Sequence, residues 1–475
     1  MSTLDAIKNN REIIIILLIG ALFRVIDLNR PFYGIQMWPE AHYSMKAENF
    51  FKYGLFKQYA EFGLDYTTPP LIPWFIFLSF KVFGIHEWAA RLPMFIFGML
   101  SLIMLFLITK KIYTRDIALF AVFIAATSPG IVYFSRNIQL ESPMTFFSLS
   151  SMLFLMKYKE NFDLKWYSFS LLSFSLAILS KYVALLVLPA LLAIWLFYGK
   201  REEKSSKILS YIFLAFMPSL LWILWGFFIT EGGTLWYFMR PHLFSIKHIF
   251  EAFYYTFTYL LPWQLGMWFP LVIISLFKLK NIKEHIILFS YIVPWFFLIF
   301  PYPKLFVMVI TGSPCGYYDY PALYGLSILG ASVLLNFDYK RYLEIFLLAL
   351  ILLTVMQGLA YYIGYHKVVL NLEEYNETEP YYSAKYVRKI NVEKKPVLVD
   401  CPPIMFYAGG DPSYIKCALD EEFATSDRNV LIEEIESERY EYVVTYWYDY
   451  GIDKVLKEHN YQQIAPRAWK KSINS

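Results

Sequence analysis

The sequence predicts a polytopic α-helical membrane protein of about 11 transmembrane helices, with interfacial helices in a long first external loop and a small extracytoplasmic α/β domain at its C-terminal end. Three observations carry this prediction. The 475 residues are 57% apolar and 20% aromatic with only 17% charged, against about 45–50% apolar and about 25% charged in soluble domains. Many apolar residues fall in runs near the roughly 20 residues a spanning helix needs. The basic residues cluster between particular runs, as the cytoplasmic bias of Lys and Arg requires.

The runs lie at roughly 12–28, 70–84, 88–109, 116–135, 143–157, 166–180, 182–199, 208–229, 259–277, 285–300, 317–335 and 342–364. No A-x-A-type site follows the first, which reads as a retained helix rather than a signal peptide. The basic clusters are Lys8 with Arg11; Lys110, Lys111 and Arg115; Lys157, Lys159 and Lys165; Lys200, Arg201, Lys204 and Lys207; Lys278, Lys280 and Lys283; and Lys340 with Arg341. They share one side only if 70–84 does not cross. That run, "PLIPWFIFLSFKVFG", is short, has Pro69, Pro70 and Pro73 at its start and contains Lys81. It reads as an interfacial or re-entrant helix with Trp74 and Lys81 at head-group level. Eleven crossings remain in a cell-membrane protein, the N-terminus cytoplasmic and the C-terminus outside. The membrane domain covers 1–365, with external loops at about 28–87 and about 230–258, and the extracytoplasmic domain covers 366–475.

Composition also excludes several classes. Three cysteines without a C-x-x-C rule out a Cys-rich metal site. No Gly-rich phosphate loop, H-E-x-x-H or G-x-S-x-G occurs. The net charge of +4 is uninformative beside its location, and no nucleic-acid partner is expected.

In the first external loop, "GIQMWPEAHYSMKAENFF" sets Glu40, His42, Lys46 and Glu48 among aromatics. Pro39 suits the first position of a helix, which makes Glu40 a first-turn residue of a helix running to about Tyr53. Ala41, Met45, Phe50 and Phe51 are expected to face lipid. A plain amphipathic surface helix is the alternative. Other external junctions carry charge as well. Arg136 and Glu141 fall in one tight turn and Lys181 in another; Arg24 and Arg91 lie near outer helix ends, where snorkelling is their plain explanation. Lys304 sits in a further connection, and Arg240, His242 and His248 in the second large loop.

Ionisable groups at bilayer depth usually mark function. Two carboxylates and several cations at one membrane face suit group transfer from a lipid phosphate. The cations hold the phosphate and stabilise the charge that grows on the departing oxygen. A carboxylate accepts the proton of the incoming hydroxyl or amine, and Glu40 is the expected base.

With these residues placed, the chain resembles the GT-C membrane glycosyltransferases. It looks closest to the protein mannosyltransferase and lipid A aminoarabinose transferase group, which use polyprenyl-phosphate sugars. Arg24 matches the Arg late in the first helix, and Pro39-Glu40-Ala41-His42-Tyr43 the acidic D-E-x-x-Y run. Thr68-Pro69-Pro70-Leu71 with Trp74 matches x-P-P-L, and "GIHEWAARLP" resembles G-x-x-E-x-x-A-R-L-P. "RNIQLESPMTFF" carries over Arg136 and Glu141, "ILSKYVALLVLP" Lys181, "LWYFMRPHLF" His242, and "PKLFVMVITGSPCGYYDYPAL" Lys304. The resemblance covers about 1–335 and implies catalytic Glu40 and Glu141, with Arg24, His42, Tyr43, Arg136, Lys181, His242 and Lys304 binding substrate.

Departures qualify it. The family's first acid, often taken as the catalytic one, is Pro39 here; either Glu40 takes its place, or the activity differs or is lost. The residue ahead of Pro69, commonly His or Lys, is Thr68. Thr67 stands where metal-binding relatives place an acid against the loop histidine, so no metal site is assigned, although the need for a divalent cation is left open.

After about Tyr365 hydropathy falls abruptly. "KKPVLVDC", "SYIKCAL" and "EYVVTYW" read as strands and "NVLIEEIESERY" and "IDKVLKEHNY" as helices, an alternation that predicts a mostly parallel sheet. Asn376-Glu377-Thr378 is a glycosylation sequon. Cys401 and Cys417 follow two strands that are candidates to be neighbours, which makes a disulfide one option.

The expectation is an inverting, mannosyltransferase-like hexosyltransferase. It would move a sugar from a polyprenyl (dolichyl or undecaprenyl) phosphate to a protein, glycan or lipid acceptor at the external membrane face. A transporter or flippase is the first alternative, but transporters favour midplane charges and inverted repeats, and neither is evident. A non-catalytic scaffold derived from such an enzyme is the second, and Pro39 is its best support.

Overall fold

The computed structural model describes residues 11–472 except 27, 33–36, 62, 200–204, 231–249, 251–253, 255, 279–284, 297–319, 333–378, 401, 421–424, 427 and 446–451. The chain begins with α1 (Arg11–Val25), α2 (Met37–Tyr53), a hairpin of β1 (Tyr59–Ala60) and β2 (Gly63–Leu64), and α3 (Leu71–Phe83). There follow α4 (Glu87–Ile112), α5 (Arg115–Thr127), α6 (Pro129–Arg136), α7 (Glu141–Asn161), α8 (Leu164–Ser180), a 3₁₀ turn (Tyr182–Val187), α9 (Leu188–Phe197) and α10 (Ser205–Ile229). Short turns at Thr256–Leu260, Leu261–Leu265 and Gly266–Trp268 lead into α11 (Phe269–Lys278), α12 (Ile286–Phe296) and α13 (Tyr320–Ala331). The remainder comprises α14 (Glu379–Ile390), β3 (Val397–Val399), α15 (Pro402–Ala408), β4 (Ile415–Cys417), β5 (Leu419–Asp420), β6 (Thr425–Ser426), α16 (Arg428–Glu436), β7 (Tyr442–Val444), α17 (Ile452–Glu458), β8 (Tyr461–Ala465) and β9 (Ala468–Lys471).

Among the described residues, Glu87–Ile112 and Ser206–Ile229 are long and apolar enough to cross a membrane. Arg115–Thr127 and Pro129–Arg136 meet the same test as a pair bent by 63°, which raises the number to three. Five further apolar helices are shorter, Leu71–Phe83 among them. The run at 342–364 and the sequon lie outside the described residues. The 13 residues of α3 rise about 20 Å at ~1.5 Å each, short of a hydrocarbon core of roughly 30 Å.

Two compact units form, one of Met1–Leu28 with Leu92–Tyr365 and the other of Asn29–Arg91 with His366–Ser475. The first external loop therefore groups with the C-terminal residues, a division that differs from a linear boundary at 366.

In the first unit α1 packs on α5 and α6, α7 on α8 and α9, and α13 on α5, α11 and α12. Every residue of α13 is buried, which puts this helix at the unit's centre. In contrast α10 leaves Leu209, Phe213, Leu221 and Phe228 exposed, an apolar surface that suits hydrocarbon rather than water. The bend between α5 and α6 has a local cause. Pro129 is at the start of α6, and Ser128 before it is extended, because a following proline disfavours helical backbone. The Ser128 hydroxyl turns back to donate to the Ile124 carbonyl at 2.7 Å.

The second unit holds a five-stranded sheet of order β4-β3-β7-β9-β8. β3 runs parallel to β4 and β7, whereas β9 is antiparallel to both β7 and β8. The sheet is thus mixed rather than mostly parallel. The difference is the closing β8–β9 hairpin, whose turn residue Arg467 has φ of 63°. Leu398, Leu431, Ile435, Val443, Leu456 and Trp469 join sheet and helices in one core.

The loop is fastened to this domain by specific bonds. Lys52 pairs with Asp411 at 2.6 Å and Arg388 with Glu48 at 2.6 Å. Asn49 donates to the Gly410 carbonyl at 2.8 Å, and the Tyr407 hydroxyl accepts from the Phe32 N–H at 2.9 Å. Helix α2 packs on α3 and α15. Ala41, Met45 and Phe50 are consequently buried against protein rather than facing lipid; of the expected four only Phe51 is exposed.

Close helix approach in the first unit rests on small residues. A Cβ at Gly98 would lie 2.5 Å from Ser135 Cβ, whereas at Gly20 the nearest atoms would be 3.3 Å away. Gly98→Ala should therefore destabilise the protein by about 1–3 kcal/mol, read as a lowered unfolding temperature in detergent, and Gly20→Ala by less.

Candidate active site

Glu40 is in the first turn of α2, where the positive end of the helix favours a carboxylate. It is fully buried. Arg91 in the first turns of α4 grips both its oxygens, Nε to Oε1 at 2.6 Å and Nη2 to Oε2 at 2.7 Å. The same guanidinium donates to the carbonyls of Arg30 at 2.5 Å and Pro31 at 3.3 Å, and lies 5.0 Å from the Phe32 ring centroid. The sequence expectation made Glu40 the base and left Arg91 to snorkel. Their structure is instead a bidentate buried pair that pins residues 30–32 to α2. With both oxygens in charge-assisted bonds, Glu40 is poorly suited to take a substrate proton.

Two residues further along α2, His42 lies between two carboxylates. Its Nδ1 is 2.8 Å from Glu61 Oε2 and its Nε2 is 3.1 Å from Asp65 Oδ2. Lys46, four residues on, reaches Asp65 Oδ2 at 2.6 Å and donates to Thr68 Oγ1 at 2.9 Å. Asp65 Oδ1 accepts from the Thr67 N–H at 2.8 Å and the Thr67 hydroxyl at 2.6 Å, and Trp38 Nε1 donates to Glu61 Oε1 at 2.5 Å. Tyr43 sets its ring edge-on to His42 at 5.0 Å. Burial works against the charge on Asp65, but Lys46 and His42 outweigh it and hold its carboxyl well below the usual range.

In the first unit, Glu141 opens α7 and Lys181 caps the end of α8. The Lys181 ammonium pairs with Glu141 Oε1. The other carboxylate oxygen, Oε2, is buried and has no hydrogen-bond partner among the described residues. Arg136 ends α6, its Nη1 directed at the Ile26 carbonyl at 3.4 Å. Arg24 is fully buried. Its Nε donates to Ser135 Oγ at 2.7 Å and its Nη1 to the carbonyls of Gly20 at 2.8 Å and Ala126 at 3.1 Å. Snorkelling, the plain alternative to the expected substrate-binding role of Arg24, does not describe it; the cation is turned into the helix packing.

The described site residues thus form two groups: Glu40, His42 and Tyr43 in the second unit, and Arg24, Arg136, Glu141 and Lys181 in the first. His242, Lys304 and Cys401 lie outside the described residues. Among those described, no group of three or more His, Cys, Asp and Glu side chains is arranged to hold a metal ion. The sequence reading missed Glu61 and Asp65 and gave Lys46 no role. A signal existed in two acids four apart, in "EFGLD", just ahead of the Thr-Thr-Pro-Pro turn, facing a His and a Lys also four apart on one helix face.

Comparison with known proteins agrees with the resemblance. The family model described as "Dolichyl-phosphate-mannose-protein mannosyltransferase" matches residues 67–225. An uncharacterized protein of Aquifex aeolicus is 25% identical over 347 residues, 70% of this chain and 66% of that one. A second from the same organism is 29% identical over 259 residues, 50% of this chain and 55% of the relative. The matches span less than two thirds of either relative's length. ArnT from Cupriavidus metallidurans, in a crystal structure bound to undecaprenyl phosphate, superposes with a TM-score of 0.66 at 13% identity, covering 97% of both chains. The oligosaccharyltransferase AglB from Archaeoglobus fulgidus, in complex with an inhibitory peptide and a dolichol-phosphate, gives 0.56 at 12% identity over 94% of this chain and 70% of that one. The fold is thus the one shared with these two structures.

Breaking a buried ion pair from one side costs about 3–5 kcal/mol, whereas replacing both partners by apolar groups costs far less. Glu40→Ala and Arg91→Ala should each destabilise by that amount, and Glu40→Leu with Arg91→Met together by much less than the sum of the two losses. Unfolding of the purified protein in detergent reads this directly.

Proposed function

We propose that the chain is an inverting glycosyltransferase that moves a sugar from a polyprenyl phosphate to an acceptor hydroxyl or amine. The shared fold over nearly the whole chain carries the reading. In two of the relatives that share it, the structures hold a polyprenyl phosphate. The Glu141–Lys181 pair supports it with suitable chemistry. The acceptor's lone pair forms a bond to the anomeric carbon while the bond from that carbon to the phosphate oxygen breaks, and the lipid phosphate leaves with the electron pair. Lys181 offers a point charge for the phosphate. Glu141, at the N-terminus of α7 and with one oxygen uncommitted, takes the acceptor's proton late, as the nucleophile becomes cationic.

Glu40 keeps a supporting role in this reading, as the partner that holds Arg91 and the start of the first loop. The clustering of basic residues supports eleven crossings with a cytoplasmic N-terminus and the reaction at the external face. The family description supports a mannosyl donor and a protein acceptor as the first to be tried; glycan and lipid acceptors and the need for a divalent cation are separate arms of the assay.

Turnover of purified protein with undecaprenyl- and dolichyl-phosphate sugars, read as release of the free lipid phosphate, tests this. Glu141→Gln should slow transfer by roughly 10²–10⁴-fold while leaving donor binding intact, and Lys181→Ala should weaken donor binding. Wild-type rates in Glu141→Gln would remove it from the mechanism. Absence of turnover with every donor would sink the reading itself.

A further inference from the structure

We infer that His42 is a positioning residue held as an imidazolium between Glu61 and Asp65, and that its proton fixes the Thr67-Thr68-Pro69-Pro70 turn of the first loop in a pH-dependent way. The inference rests on the proposed transfer activity only for its consequence in catalysis.

The geometry requires the charged ring. Ionised carboxylates only accept hydrogen bonds, and each ring nitrogen of His42 faces one, at 2.8 Å and 3.1 Å. Both nitrogens must therefore carry a proton. Neutral imidazole keeps one N–H, and its other nitrogen would present a lone pair to a carboxylate. One of the two bridges would then open.

Four charged side chains meet here, two cations and two anions, and all are mostly buried. Side-chain exposure is 15% for His42, 1% for Glu61, 17% for Asp65 and 0% for Lys46. With His42 charged the group is neutral overall; without its proton it holds one uncompensated negative charge. Tyr43 is the other titratable ring against His42. Burial alone would lower the basicity of the imidazole, and Lys46 lowers it further, but Glu61 and Asp65 outweigh both and raise it above the ordinary histidine value. A group raised in this way gives its full stabilisation below the ordinary value and loses it as pH climbs through the raised one.

The coupling to the turn is direct. Asp65 holds His42 and Lys46 on one oxygen and both the amide and hydroxyl of Thr67 on the other, while Lys46 also holds Thr68. On loss of one proton the shorter contact, to Glu61 at 2.8 Å, keeps the remaining N–H, so the tie to Asp65 is the one that opens; Lys46 alone is left on that oxygen, and the turn is held less firmly. The ring has no nitrogen to spare for a substrate, so the expectation that His42 binds substrate gives way to a role through Asp65.

Hydrogen exchange of the full-length protein in detergent tests this without any activity. Corrected for the intrinsic pH dependence of exchange, protection of residues 59–61 and 63–68 should fall roughly tenfold or more as the pH is raised from below the ordinary histidine value well into the alkaline range. His42→Arg keeps a charge and donors for both carboxylates, so its protection should stay high and flat. His42→Gln should show low protection at every pH. If transfer is measurable, the wild-type rate should decline on the alkaline side, and His42→Arg should remove that decline. Flat protection in the wild-type protein would overturn the inference. A pH-dependent loss of protection in a protein that transfers no sugar would leave it standing and overturn only the proposed function.

Discussion

A charge taken out of water must find compensation within the fold, and this constraint organises both units. Born estimates put an isolated ion in a medium of low dielectric at about 20 kcal/mol, and even the relaxed cost is several kcal/mol. The chain meets it in three ways. Glu40 and Arg91 form a closed pair with every carboxylate oxygen engaged. Lys46, Asp65, His42 and Glu61 form a four-membered chain of alternating sign. Arg24 is met at Nε and Nη1 by a hydroxyl and two backbone carbonyls, while its Nη2 has no hydrogen-bond partner among the described residues.

For the two carboxylates at helix starts, the manner of compensation differs in a way that bears on the proposed chemistry. A carboxylate with both oxygens fixed by one guanidinium has little left for a substrate, and its loss is felt first in stability. A carboxylate with one oxygen uncommitted, as in Glu141, sits in a less favourable state that an incoming donor group relieves. Buried unsatisfied groups in folded proteins call for such an explanation. For this reason Glu141 is a better candidate for the chemistry than Glu40, although both sit at helix starts and both read as catalytic in the sequence.

Much of the fold was legible in the sequence because hydropathy acts locally. The runs at 88–109 and 208–229 became α4 and α10, and the run at 116–135 became the bent pair around Ser128. Glu40 was placed in its helix from Pro39 alone. Partners distant along the chain were not legible. Arg91 is 51 residues from Glu40, and although it falls in the family-like "GIHEWAARLP", nothing in that run says which carboxylate it meets. The same blindness assigned Ala41, Met45 and Phe50 to lipid, since an apolar helix face does not say whether protein or hydrocarbon covers it. In the C-terminal domain, "YQQIAPRAWKK" alternates too weakly to announce a strand pair, so the closing hairpin and its antiparallel ladders were missed.

The kink at Ser128 gives Arg24 a purpose of its own. Where α5 stops, its last carbonyls lose the amides that would have satisfied them, and lipid offers no substitute. Arg24 donates to one of them, Ala126, at the negative end of the helix. An arginine in that place acts as an electrostatic stopper for a broken helix, a duty that does not depend on any substrate. A descendant that had abandoned chemistry altogether would still need it, so its presence in a sequence testifies to architecture before it testifies to catalysis.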